Sequence, residues 1–173
     1  MIRLIVLQLL AFMGFVALQV LVFNHADLFY GLHPYMYLLI LFWLPGMLPS
    51  WSLLVAGFVV GITMDLFMYT YGLHAGACTL AALVRVQGMP LLLSKEELAF
   101  NPSPRPAEIG IRKFGLLSLV LVLVHHFYLL YGEAFTLDYF LRTGAKALLN
   151  VFITILVVFA VEMIFYRSPK NTR

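Results

Sequence analysis

Runs of apolar residues broken by turn formers extend along the chain and predict six membrane spans, at about residues 4–23, 32–48, 52–71, 73–93, 114–131 and 145–166. A helix needs about 20 apolar residues to cross about 30 Å of hydrocarbon. The second run is the weakest. Its 17 residues barely suffice and carry Pro34 and Pro45, so a short, kinked or re-entrant segment is expected there. The longest connection, 94–113, mixes both charge signs and places Pro102, Pro104 and Pro106 at every second position, which favours extended, solvated backbone. Ser94-Lys95-Glu96-Glu97 has the form of a capping box for one short helix before it. The pattern predicts an all-α integral membrane protein, a single polytopic domain over 1–173 built as a bundle of about six transmembrane helices.

Composition sharpens this picture. Apolar and aromatic residues make up 63% of the chain and charged residues 11%, against about 45–50% and about 25% in soluble domains; mean hydropathy is +0.98. Six spans leave only short connections, which excludes a separate soluble catalytic domain. The first run, Leu4 to Phe23, exceeds the about 7–15 apolar residues of a signal peptide, and no small-x-small cleavage site follows, so it is expected to be a retained span. The formal charge of +3 comes from scattered basic residues, which gives nucleic-acid binding no footing. The lone Cys78 excludes an intrachain disulfide and a cysteine metal cluster. Arg3, Lys95, Arg105, Arg112, Lys113, Arg167, Lys170 and Arg173 lie on one side of the predicted topology. Only Arg142 and Lys146 lie on the other, so both termini are expected in the cytoplasm.

Polar residues inside apolar runs carry most of the remaining information, because hydrocarbon leaves them costly unless partnered. In span three Gly57, Gly61 and Asp65 recur every four residues, two bare backbone patches and a carboxylate on one helix face. Gly72 and Gly76 form a second small-xxx-small pair opening span four. The short turn between these spans brings Asp65 and His74 to similar depth, where each would stabilise the other's charged form. His74, Cys78 and Arg85 share one face of span four, with His74 and Arg85 about 16 Å apart. Arg85 and Glu162 fall at comparable depth; a buried ion pair between them and separate snorkelling to the headgroups are both open.

Gln8, Gln19, Asn150 and Thr154 are read as interhelical hydrogen-bonding groups. Trp43 and Trp51 bracket a proline-glycine turn and are read as interface anchors. His125 and His126 point about 100° apart on a helix and cannot readily grip one metal ion, so packing or partner contact is expected, with no metal site and no cofactor. Catalytic residues are not apparent. Asp65 and His74 have no serine beside them, and Ser118 is the one weak candidate for an intramembrane nucleophile.

The six-span hydropathy, the segment Gly57-Phe-Val-Val-Gly61-Ile-Thr-Met-Asp65 and the following Gly72-Leu73-His74-Ala75 resemble the MreD family of rod shape-determining membrane proteins. The specific part runs from about Pro45 to Arg85; the long proline-rich loop departs from the family pattern. The resemblance implies a multi-pass protein of the bacterial plasma membrane, a non-enzymatic scaffold of the cell-elongation machinery. Its implied partners are an MreC-like single-span protein, RodA with its transpeptidase, and MreB indirectly, with a homodimer as a further candidate. It also implies a bundle similar to the substrate-binding subunits of energy-coupling-factor transporters. On that reading Gly57, Gly61, Asp65, Gly72 and Gly76 form a helix-packing or partner face, while His74, Arg85 and Glu162 are buried polar groups. The alternative is a small-ligand-binding subunit of a membrane transporter, with Asp65, His74 and Arg85 lining a cavity.

Overall fold

A helix satisfies its own backbone, which is why apolar runs in hydrocarbon become helices. In the computed structural model, which describes residues 2–25, 32–134 and 140–166, five helices are long and apolar enough to cross a membrane. They are α1 (Ile2–Leu18), extended by a π-helical turn (Gln19–Phe23), α3 (Ser50–Met68), α4 (Leu73–Leu92), α7 (Ile111–Ala134) and α8 (Phe140–Ile164). The protein is an all-α, multi-pass membrane bundle. The second predicted span takes a different form: a 3₁₀ turn (Met36–Leu38) runs into the single-turn α2 (Leu39–Trp43). Arg167, Lys170 and Arg173, which entered the topology count, lie outside the described residues.

The long helices are arranged in chain order, α3 against α4, α4 against α7, and α7 against α8. The short second segment threads the middle, with every side chain from Tyr35 to Phe42 buried. It touches α3, α4 and α8, and α1 leans on it from the outside.

The tightest packing is the α3–α4 hairpin, and glycine makes it possible. A Cβ on Gly57 would lie 2.7 Å from the Cys78 carbonyl oxygen and 2.8 Å from the Ala82 Cβ; one on Gly61 would overlap the His74 carbonyl and the Ala75 Cα. Gly57 and Gly61 are therefore used in packing α3 on α4, the helix-packing alternative of the expectation for this face. Gly76 receives the Tyr128 ring of α7. Gly72, read with that same face, instead serves the turn. Its φ of 95° follows Tyr69 and Tyr71 at φ 58° and 48°, a left-handed corner that reverses the chain between α3 and α4.

The loop 94–113 is more ordered than its composition predicts. Ser94 and Glu97 form both halves of a capping box on α5 (Lys95–Ala99), and Lys113 pairs with Glu97 across the loop. The Lys113 ammonium, with the Ser94 N–H, holds the Glu97 carboxyl below its usual range. Pro106 and Ile109 of α6 (Pro106–Ile109) are buried against the bundle. Expected on this geometry, Gly61→Leu destabilises the bundle by about 3 kcal/mol or more, whereas Gly14→Leu on the open face of α1, with nothing within 4 Å, leaves the thermal midpoint unchanged; equal midpoints for the two variants would refute the hairpin packing.

Candidate functional site

Residues 33–45 are only partly helical, so several of their peptide groups find no partner within the segment. Hydrocarbon offers no water to replace one. Side chains from the surrounding helices supply the partners instead. The His33 N–H donates to Asn150 Oδ1 at 2.8 Å and the Tyr35 N–H to Thr154 Oγ1 at 3.2 Å. Between them Pro34 has no N–H to satisfy. The Met36 N–H donates to Gln19 Oε1 at 2.7 Å. Gln8 Nε2 donates to the Trp43 carbonyl at 2.9 Å. Arg85 donates through Nη1 to the Leu41 carbonyl, and through Nη2 to those of Leu44 and Pro45 at 2.8 and 3.3 Å. Five side chains thus satisfy seven backbone groups.

The register along α8 explains how so few residues cover the depth. From Asn150 to Thr154 α8 rises about 6 Å while the segment advances two residues, the pace of extended chain. From Thr154 to Glu162 it rises about 12 Å while the segment advances eight, the pace of a helix. The π-helical turn at 19–23, with the Asn24 N–H reaching the Gln19 carbonyl, sets Gln19 fully inside the bundle, where Asn24 Oδ1 accepts from its Nε2 at 3.0 Å.

At the far end of the α3–α4 hairpin, Asp65 and His74 meet at 3.3 Å, but the carboxylate's main task is to cap α4. Its Oδ1 accepts the His74 N–H and its Oδ2 the Ala75 N–H, both at 2.9 Å, replacing a local cap that Gly72 cannot provide. Thr70, which the sequence reading missed, donates to Asp65 Oδ1 at 2.6 Å and contacts His74 Nδ1 at 2.7 Å. Nearby, His126 donates from Nδ1 to the Val122 carbonyl at 2.8 Å, which leaves Nε2 to accept from Thr154 Oγ1 at 3.0 Å. His125 Nε2 meets the Tyr37 hydroxyl at 2.9 Å. Tyr35 and Tyr37 pack edge-on among His74 and His125. Two buried nitrogens of this cluster, His74 Nε2 and His125 Nδ1, lack a hydrogen-bond partner among the described residues.

Arg85 and Glu162 do not pair. Arg85 donates to the carbonyls of Leu41, Leu44 and Pro45 instead. Glu162 accepts from Trp43 Nε1 at 2.7 Å and from Arg105 Nε at 3.1 Å, and Arg105 also lies 4.5 Å over the Trp43 ring. Their common depth was legible; their separate partners depended on how the loop and the second segment fold back. Trp43 is thus engaged within the bundle. Between Phe15 and Phe165 it closes the loop end of the bundle, while Trp51 remains exposed.

Among the described residues no three His, Cys, Asp or Glu side chains are grouped to hold a metal. Ser118 is buried, and its hydroxyl donates to the Gly115 carbonyl at 3.0 Å. No family model, curated protein or solved structure matches the chain. A double-mutant cycle on unfolding free energy should give a coupling of about 1 kcal/mol for Arg105→Ala with Glu162→Gln and about zero for Arg85→Lys with Glu162→Gln; the reverse ranking would contradict these assignments.

Proposed function

We propose that the chain is a non-enzymatic membrane scaffold of the MreD kind, which receives the transmembrane helix of an MreC-like single-span partner in the bacterial plasma membrane. With its termini and loop in the cytoplasm, it would help couple MreB filaments to peptidoglycan synthesis by RodA and its transpeptidase. The observation that carries this reading is an open groove between α1 and α3. One half, about 340 Å³, runs from Leu4 to Phe12 beside Ala56 and Val59, with Ile40 of the second segment in its lining. The other half, about 370 Å³, continues from Phe12 to Leu21 beside Thr63 and Phe67. The two together follow α1 for about 26 Å, close to the thickness of the hydrocarbon.

Its chemistry suits an apolar helix. Gln8 and Thr63 are the polar side chains in its lining; Gln8 is engaged with Trp43, and the Thr63 hydroxyl with the Val59 carbonyl at 2.7 Å. Association in lipid then rests on close packing against small residues such as Ala17 and Ala56. The orphan nitrogens His74 Nε2 and His125 Nδ1 favour the second reading, a small polar ligand bound inside the bundle as in a transporter subunit. Stabilisation by a solute in the absence of any partner would select it.

Ala56→Phe fills the groove without touching the α4 face of α3. It should keep the thermal midpoint of the bundle and reduce co-purification of an MreC-like partner at least about tenfold, a loss of about 1.4 kcal/mol. Undiminished co-purification with a folded Ala56→Phe chain would remove the groove from the partner interface.

A further inference from the structure

A second pocket, about 200 Å³, opens at the loop end of the bundle, where the turn at Gly46–Ser50, the second half of α4 and the loop residues Asn101 and Pro102 meet. Arg85 lines it and is only 2% exposed. Three of its five N–H groups are spent on the carbonyls of Leu41, Leu44 and Pro45, which leaves Nε–H and one Nη1–H without a partner among the described residues. No carboxylate lies within ion-pair distance of it among those residues. Glu162 is held by Arg105, Glu97 by Lys113, and Glu108, which acts on Arg85 through space, accepts the Ser103 N–H at 2.6 Å. A buried cation whose direct partners are neutral carbonyls leaves its charge without a contacting counter-ion.

The same pocket is lined by Ser50, the first residue of the 19-residue α3, whose N-terminus has no side-chain cap. The first amides of a long helix and the unspent N–H groups of a buried guanidinium are two independent features that each favour a phosphate. Trp51, the next residue, is exposed, a position suited to headgroup depth.

We propose that Arg85 and the N-terminus of α3 form a binding site for a phosphate group, presented by an anionic phospholipid headgroup or by a free phosphate. Bound there, the phosphate neutralises Arg85 from the open side while the carbonyls hold it from within. This ties the second segment, through Arg85, to the chemistry of the membrane surface.

The test uses the full chain purified in a neutral surfactant. The probes are inorganic phosphate against chloride at equal ionic strength, and short-chain phosphatidylglycerol against the matching diacylglycerol. A rise in thermal midpoint of about 5 °C at saturating phosphatidylglycerol, absent with diacylglycerol, is expected. An added response to inorganic phosphate would make the free ion a ligand too; a response to lipid alone would assign the site to headgroups. Ser50→Asp supplies its own anion at the helix start and should fold with an unlowered midpoint while losing the lipid response. Ser52→Asp, in the same helical turn but outside the pocket lining, should retain it. Native mass spectrometry of the unaltered chain should find one retained phosphatidylglycerol and no diacylglycerol. No shift with either phosphate source, loss of the response in both variants, or retention in Ser50→Asp would each overturn the site.

Discussion

An irregular stretch of backbone inside hydrocarbon must find a partner for each of its peptide groups, because no water is there to stand in. This constraint organises the protein. Residues 33–45 cross the interior as a partly extended, partly helical strand of chain, and Gln8, Gln19, Arg85, Asn150 and Thr154 are set around it as donors and acceptors. Each bond is worth about 0.6–2 kcal/mol net in a membrane. The alternative, an orphan carbonyl or N–H, costs several kcal/mol. The polar groups therefore matter less for gluing long helices to one another than for making a short, broken one tolerable at the centre.

The remaining architecture follows from that centre. α3 and α4 form a rigid wall through backbone contact at Gly57 and Gly61, and Asp65 ties its corner by capping α4 from across the turn. α7 and α8 complete the enclosure, and the Trp43–Glu162–Arg105 cluster closes the loop end. α1 rests on the central segment and stands apart from α3, which leaves the apolar groove between them. The proposed scaffold function rests on this long apolar groove.

Much of this was legible in the sequence. The five long helices follow the apolar runs to within a few residues at most ends, since hydropathy in a bilayer is a strong, local signal. The proline-bearing 32–48 run was readable as an irregular segment, and the Gly57, Gly61, Asp65 spacing as a close-packing face. What stayed hidden depended on contacts distant in the chain. Asp65 is nine residues from the amide it caps, Arg85 is about forty from its carbonyls and Glu162 is 57 from Arg105. Glu162 and Arg85 share a depth, and depth is what periodicity gives; which of two acceptors a guanidinium chooses is decided by the fold of the turn at Pro45. Thr70 escaped because a threonine in a turn carries no signal of its own. The loop 94–113 read as solvated because Arg105 and Pro106 look like linker residues until Trp43 and Glu162 are placed beneath them.

Backbone hydrogen exchange, followed by mass spectrometry on the full chain in lipid nanodiscs, addresses the central segment directly. Peptides covering 33–45 should exchange as slowly as those of α3 and α4 in the unaltered chain. In Gln19→Leu, which removes the acceptor of the Met36 N–H, protection of 33–45 should fall selectively while α3 and α4 keep theirs. Unchanged protection of 33–45 in that variant, or fast exchange of the segment in the unaltered chain, would contradict a core held together by side chains clasping broken backbone.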